Sequence, residues 1–168
     1  MNGHAGKPSF ESLVEQYYRS LYQFGLSLTG SEAEASDLTQ QTFYIWARKG
    51  HQLRDASKVK TWLFTTLHWE FLKTRRRQSR FPHQELESAD LPAVNPAMVN
   101  QLDADDVLAA LQHVEELYRA PVVLFYLEEL SYKEIAEVLD VPLGTVQSRI
   151  ARGKAQLQKL LRSKELSG

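Results

Sequence analysis

The 168-residue sequence contains no cysteine, and this absence excludes disulfides, thiol catalysis and cysteine-ligated zinc. No apolar run approaches the roughly 18 residues that a membrane span needs, so we expect no direct membrane insertion. The first residues, from Met1 to Ser9, contain no apolar stretch of the kind that a secretory signal needs. These absences predict a cytoplasmic protein.

The histidines do not indicate a metal site. They are scattered along the chain, and no two share the i, i+4 spacing of a helical metal site. The five positions are His4, His51, His68, His83 and His113. No carboxylate cluster or nucleophile arrangement is visible either, so we expect no metal, no cofactor and no catalytic activity.

The net charge of −1 conceals an uneven distribution of charge. Residues 1–80 contain 12 Lys/Arg and 7 Asp/Glu, whereas residues 81–106 contain six acidic residues and no basic one. From Leu143 to Lys164 there are six basic residues and no acidic one. Two basic surfaces separated by an acidic connector indicate two contacts with a polyanion, although charged runs are usually solvated surfaces.

Apolar residues recur at helical spacing and no alternating strand pattern appears, which predicts an all-α fold. The first helix ends at Gly30, and Ser31 with Glu34 is typical of a capping box that opens the second helix. A third helix is predicted over about residues 58–77, after a loop over residues 49–57.

Prolines and acidic residues between residues 81 and 101 predict a flexible linker. The chain is therefore predicted to form two small helical domains, residues 8–80 and residues 102–166. In the second domain, Pro121 is expected in the first turn of a helix.

A helix-turn-helix pattern follows in this second domain. Ser131 and Glu134 form a second predicted capping box, Asp140 takes the left-handed turn position, and Pro142 fits the start of the next helix. Such units place the N-terminal part of their second helix in the major groove of DNA. The side chains expected to meet DNA there are Gln147, Ser148, Arg149, Ala151, Arg152 and Lys154.

Within this set, Gln147 and Arg152 suit base edges, because Gln pairs with adenine and Arg with guanine. Arg149 and Lys154 suit phosphates. The alternative is a basic amphipathic helix that packs within a bundle and does not bind DNA.

Three segments resemble one known family. Leu130-Ser-Tyr-Lys-Glu-Ile-Ala136, followed by Val141-Pro-Leu-Gly-Thr-Val-Gln-Ser-Arg-Ile-Ala-Arg152, resembles region 4 of extracytoplasmic-function (ECF) sigma factors. Asp37-Leu-Thr-Gln-Gln-Thr-Phe43 resembles the region 2 signature of the same family. The resemblance covers most of residues 10–162.

The resemblance implies a sigma region 2-like bundle, a sigma region 4-like helix-turn-helix domain and a linker between them. It implies that the chain binds RNA polymerase core and directs promoter-specific initiation. The N-terminal domain would bind the β′ subunit and the −10 element, and the C-terminal domain the β flap and the −35 element. It further implies control by an anti-sigma factor.

The resemblance also implies particular contacts. Asp37, Gln40 and Gln41 would bind core polymerase. The residues implied at the −10 element are Arg54, Lys58, Lys60, Trp69, Lys73, Arg76 and Arg77. The family often has Asn and Asp where this chain has Trp69 and Lys73. The −10 preference therefore differs, or this helix binds less selectively through charge and stacking, or Trp69 is buried.

Two other functions remain to be compared with this one. A helix-turn-helix regulator that acts without polymerase would be expected to dimerise and to contain a ligand-binding or receiver domain, and neither is visible. An enzyme that acts on nucleic acid would need a catalytic cluster, which the sequence does not contain.

Overall fold

The computed structural model describes residues 8–80 and 104–166, and within them all regular secondary structure is helical. The N-terminal unit contains α1 (Phe10–Thr29), α2 (Glu32–Lys49) and α3 (Val59–Arg80), with 3-10 turns at Gly50–Gln52 and Ala56–Lys58. The C-terminal unit contains α4 (Ala104–Leu111), α5 (Glu116–Tyr126), α6 (Tyr132–Leu139) and α7 (Leu143–Leu166). The all-α prediction is confirmed, and the predicted linker at residues 81–101 lies outside the described residues.

None of the helices in the described ranges is both long enough and apolar enough to cross a bilayer.

The prediction for the boundary between α1 and α2 is confirmed in part. Gly30 ends α1 with a left-handed φ of 68°, as predicted. The Ser31 side chain accepts a hydrogen bond from the Glu34 backbone N–H at 3.2 Å. The capping box is not completed, because the Ser31 N–H donates to Thr29 Oγ1 and Glu34 Oε1 accepts from Gln78 of α3.

The prediction for Pro121 is wrong, since this residue lies inside α5 and not in its first turn. The helix begins earlier, at Glu116. Arg119 fixes the preceding turn by donating from Nε to the carbonyl of Val114 at 2.8 Å and from Nη2 to the carbonyl of Gln112 at 2.9 Å. Pro121 has no backbone N–H, so α5 lacks one of its helical hydrogen bonds at this position.

Aromatic contacts hold the N-terminal unit together. Phe24 of α1 meets Phe64 of α3 edge to face, with ring centroids 5.4 Å apart. Trp46 of α2 meets Trp62 of α3 in the same way at 5.1 Å. Such pairs stabilise a core beyond their buried area. They set the rotation of α3, whose remaining face carries polar and basic side chains.

The two units pack against each other, which the sequence did not predict. Helix α1 contacts α4 and α5, and α3 contacts α6. The buried apolar side chains of both units form one connected cluster. Polar groups also join the units: Gln112 Nε2 donates to the carbonyl of Leu26 at 3.3 Å, and Arg75 forms an ion pair with Glu116.

Gly153 lies where α7 crosses α5, and its missing side chain allows the close approach. A Cβ at this position would lie 2.5 Å from Cγ2 of Val122 and 3.0 Å from Cβ of Tyr118. We expect Gly153→Ala to lower the free energy of unfolding by about 1–2 kcal/mol, because overpacking outweighs the gain of about 1 kcal/mol in helix propensity. Urea-induced unfolding measures this change.

Gly144→Ala is the matched control on the same helix, since a Cβ there would meet nothing within 4 Å. This variant is expected to be as stable as the parent or up to about 1 kcal/mol more stable. Equal stabilities for Gly153→Ala and Gly144→Ala would contradict a tight crossing of α5 and α7.

Candidate nucleic-acid interface

Helix α6, a short turn and α7 form the helix-turn-helix that the sequence predicted. The capping box at Ser131 is complete: its Oγ accepts from the Glu134 N–H at 3.1 Å, and Glu134 Oε1 accepts from the Ser131 N–H at 3.0 Å. This backbone hydrogen bond holds the pKa of Glu134 below its usual range. Asp140 ends α6 with a left-handed φ of 55°, as predicted.

The buried side of α7 determines which side chains it exposes. Val146 and Ile150 are buried, and they share the core of the C-terminal unit with Ile135 and Val138 of α6. The predicted DNA-facing side chains that are exposed on α7 are Gln147, Ser148, Ala151, Arg152 and Lys154. Their contact with DNA stays a prediction, and the geometry leaves their polar atoms accessible to a base edge or a phosphate.

Arg149 differs from its neighbours because it is half-buried. Its side chain lines a cavity between the two units, together with His68 and Phe71 of α3 and Leu139 of α6. The Arg149 side chain thus lies at the contact between the units, and their separation would make it more accessible to a phosphate.

Two of the lysines predicted at the −10 element also face the C-terminal unit. Lys60 Nζ donates to the backbone carbonyl of Glu128 at 2.6 Å, and Lys58 Nζ lies 3.8 Å from the Glu137 carboxylate. Arg54, in the turn before α3, is exposed. The packed arrangement thus occupies Lys58 and Lys60 with acidic and carbonyl oxygens.

Glu128 is the most deeply placed charged side chain of this contact, with 4% of its surface exposed. Burial raises its pKa, while a hydrogen bond with the Ser20 side chain and the charge of Lys60 act in the opposite direction. A carboxyl group of the C-terminal unit is therefore enclosed by α1 and α3 of the N-terminal unit.

The remaining residues predicted at the −10 element lie on the free side of α3. Trp69 is 48% exposed, so the alternative that it is buried is wrong. Lys73 Nζ pairs with Glu70 at 3.1 Å. Arg76 and Arg77 are exposed. This side of α3 combines an accessible indole ring with positive charge.

The three residues predicted to bind core polymerase share the exposed face of α2. Asp37, Gln40 and Gln41 are all exposed, whereas Leu38 beside them is buried. Asp37 and Gln41 line a groove between α2 and the C-terminal half of α3, where Phe71 lies on the wall. The groove offers polar hydrogen-bonding groups to a partner, and the identity of that partner stays a prediction.

Sequence reasoning missed residues on the same helix face. Tyr44 is 56% exposed, and the Arg48 guanidinium lies 5.6 Å from the centre of its ring. Both follow Gln41 at helical spacing, so a helical projection of α2 would have placed them together. The roles of Glu128 and Glu137 had no local signal, because their partners lie in the other unit.

No group of three or more histidine, aspartate or glutamate side chains in residues 8–80 and 104–166 is placed to hold a metal ion.

Comparison with family models gives two matches that follow each other along the chain. Residues 13–81 match the model described as "Sigma-70 region 2". Residues 104–157 match the model described as "Sigma-70, region 4". The first match covers the described N-terminal unit from within α1, and the second covers the C-terminal unit through most of α7.

Curated relatives are similar over nearly all of the chain. The ECF RNA polymerase sigma factor SigE of Mycolicibacterium smegmatis is 38% identical over 94% of this chain, which spans 63% of that relative's length. The ECF RNA polymerase sigma factor SigW of Bacillus subtilis is 31% identical, over 92% of this chain and 89% of its own length.

Solved structures resemble the arrangement of both units together. The sigma factor RpoE, crystallised with the anti-sigma factor NepR from Bartonella quintana, aligns with a TM-score of 0.73 at 29% identity. The alignment covers 91% of this chain and 96% of that one. CnrH, solved in complex with the cytosolic domain of CnrY, has the same fold, with a TM-score of 0.62 at 24% identity.

Proposed function

The chain belongs to the ECF family of RNA polymerase sigma factors, and from this premise we propose that it binds core polymerase and reads the two elements of its promoters. The observation that carries the proposal is the presence of region 2 and region 4 matches, in that order, on two helical units. A DNA-binding protein that acted without polymerase would need the region 4 helix-turn-helix alone.

At the level of residues, we propose that Asp37, Gln40 and Gln41 bind the β′ subunit. Their exposure on one face of α2 supports this role. The N-terminal unit would then hold the −10 element. The C-terminal unit would bind the β flap and place Gln147 and Arg152 against the bases of the −35 element.

The packed arrangement engages some of the cations proposed to bind the promoter. Lys60 bonds to the carbonyl of Glu128, Lys58 lies beside Glu137, and Arg149 lines the cavity between units. Lys60 and Arg149 are half-buried at this contact, whereas Lys58 is exposed, so separation of the two units would make Lys60 and Arg149 more accessible to a phosphate. We therefore expect promoter binding to compete with unit packing.

Control by an anti-sigma factor is part of the proposal, because the similar sigma factor RpoE was crystallised with one. We place the protein in the cytoplasm, where core polymerase and promoter DNA are found. The polymerase would catalyse the synthesis of RNA, and this chain would supply recognition alone.

Run-off transcription on genomic fragments tests the proposed function. The purified chain with core polymerase is expected to start transcription at defined sites, while core polymerase alone starts at none of them. Sequence-specific DNA binding by the chain without any effect on polymerase would instead support a regulator that acts without core.

Arg152→Ala tests base reading at the −35 element. Loss of a bidentate base contact is expected to cost roughly 1–3 kcal/mol and to relax the preference at one promoter position. Promoter variants transcribed by the holoenzyme at several salt concentrations measure this change.

Lys154→Ala is the comparison for phosphate binding, because Lys154 is exposed on the same helix. It should weaken all promoter sequences about equally and lower the salt slope by about one. An unchanged −35 profile for Arg152→Ala would assign base reading to another residue. Parental behaviour of both variants would support the bundle-packing alternative.

A further inference from the structure

The loop between α5 and α6 brings a carboxyl group of the C-terminal unit against the N-terminal unit. Glu128 lies in this loop and is 4% exposed. Its carboxylate forms a hydrogen bond with the Ser20 side chain of α1. With its amide oriented to satisfy both neighbours, Gln23 donates to Glu128 Oε1 at 3.2 Å and accepts from Arg19 Nε at 3.3 Å. Side-chain hydrogen bonds of Glu128 therefore join the two units.

The backbone of the same loop takes part in the contact. The Glu128 N–H donates to the carbonyl of Val123 in its own unit at 3.1 Å. Its carbonyl accepts from Lys60 Nζ of α3 at 2.6 Å. Glu129 follows with a left-handed φ of 57°, a conformation that costs a residue with a Cβ free energy and persists where surrounding contacts require it. Both the side chain and the carbonyl of Glu128 thus bond to the N-terminal unit.

The enclosed carboxylate differs from the other acidic group at this contact. Burial raises the pKa of Glu128, and the hydrogen bond with Ser20 and the charge of Lys60 offset this only in part. The pair of Lys58 and Glu137 lies at the surface, with side chains 51% and 43% exposed, and such pairs contribute little to stability. The hydrogen bonds of Glu128 are therefore the polar contact that we expect substitution to affect most.

The packed arrangement is too small to span a promoter. The centres of the −10 and −35 elements are about 25 base pairs apart, or about 85 Å along a duplex. DNA of this length stays nearly straight, because its persistence length is about 150 base pairs. A compact chain of 168 residues has a radius of gyration of about 15 Å and a diameter of about 40 Å. The two units must separate before one chain can contact both elements.

We propose that Glu128 is an autoinhibitory latch, which holds the free chain in the packed arrangement through Ser20, Gln23 and Lys60. The inference rests on the proposed function, since a chain that reads two separate elements is inactive while its units are packed. Glu128 has a positioning role here and does not itself touch DNA or polymerase. The apparent affinity for core polymerase is reduced by the fraction of chain that is packed, so loosening the latch should raise this affinity.

Two uncharged replacements separate the hydrogen bonds of Glu128 from its charge. Glu128→Gln keeps a side chain that can bond to Ser20 and Gln23, and it removes the cost of burying a charge. Glu128→Ala removes both hydrogen bonds and leaves their partners unpaired. The ratio of open to packed chain should therefore be about tenfold higher for Glu128→Ala than for Glu128→Gln. The glutamine variant is expected to be at least as fully packed as the parent.

The same contact can be removed from the other unit. Ser20→Ala combined with Gln23→Ala should open the chain at least as much as Glu128→Ala does. Adding Glu128→Ala to this double variant should open the chain no further, because the three residues act in one contact. Glu137→Gln is the matched control, since it removes an exposed acidic group at the same contact and should change the ratio by less than about threefold.

Single-molecule fluorescence energy transfer in the free chain measures this ratio. The sequence contains no cysteine, so dyes can be attached through Ser12→Cys on α1 and Ala155→Cys on α7, which are both exposed positions. The same variants without dyes are then titrated against core polymerase. Glu128→Ala is expected to bind core polymerase more tightly than the parent, and Glu128→Gln no more tightly than the parent. Circular dichroism melts check that each variant is folded.

Three results would overturn the latch. They are equal open fractions for Glu128→Ala and Glu128→Gln, an effect of Glu137→Gln as large as that of Glu128→Ala, and an opened alanine variant whose affinity for core polymerase is not raised. If Glu128→Ala does not fold, the double variant on α1 decides the first of these against Glu128→Gln. A parent that fails to bind core polymerase contradicts the proposed function, whereas energy transfer scores the contact without polymerase.

Discussion

Replacing Asp37, Gln40 and Gln41 together with alanine is expected to lower the affinity for core polymerase by about a hundredfold, or about 3 kcal/mol. Each side chain is exposed on α2 and offers hydrogen-bonding groups that alanine cannot replace. A charged hydrogen bond contributes about 1.5–3 kcal/mol and a neutral one about 0.5–1.5 kcal/mol, so three contacts reach this value even with partial compensation.

Titration of labelled core polymerase with the chain measures this loss. The fold should remain intact, because exposed substitutions usually change the free energy of unfolding by less than about 0.5 kcal/mol. A matched triple variant at Ser12, Glu15 and Gln16 of α1 also replaces exposed polar side chains and should bind core polymerase as the parent does. Equal affinities for the two triple variants would remove the assignment of α2 to the polymerase contact.

Acidification is expected to remove up to about 3 kcal/mol of stability through His68 alone. Its ring stacks against Phe24, with centroids 6.4 Å apart, and lies near Phe71 at the contact between the two units. Burial lowers the pKa of His68 from 6.5 to about 4, because the charged ring would lose its hydration there.

The direction of the effect follows from proton binding. Between pH 6.5 and about 4, the unfolded chain binds a proton at His68 that the folded chain does not bind. The contribution of His68 to the free energy of unfolding is therefore complete above pH 6.5. It is lost as the pH falls from 6.5 to about 4. Glu128 works in the opposite direction, since its raised pKa favours the protonated folded state.

Urea-induced unfolding of the parent and of His68→Gln across this pH range isolates the contribution of the histidine. The glutamine variant does not titrate, so its stability should fall less steeply with acid than that of the parent. The difference between the two curves is the predicted quantity, and the contribution of Glu128 cancels in it. Parallel curves would mean that His68 is hydrated in the folded chain.

Protonation of His68 also bears on the contact between the units. The ring shares its cavity with Arg149 and Glu116 of the C-terminal unit. Burial disfavours a charged ring at this contact, although the Arg149 cation and the Glu116 carboxylate act on it in opposite directions. Acid should consequently weaken the packing of the units, and limited proteolysis of the chain over the same pH range would detect this as earlier cleavage.

Local features of this protein were determined by the sequence alone. The helical spacing of apolar residues, the capping box at Ser131 and the left-handed turn at Asp140 all appear in the structure as predicted. They depend on residues within a few positions of each other, and such interactions are visible in a linear sequence. The region 2 and region 4 motifs were recognised for the same reason.

Contacts between distant segments were decided only by the tertiary structure. Lys60 and Glu128 are 68 residues apart, and nothing near either one indicates that they bond. The cavity that Arg149 and His68 line together and the early start of α5 before Pro121 likewise depend on which surfaces meet. Periodicity shows which side of a helix is buried, but it does not show which partner buries it, because packing is set by shape and by all the side chains together.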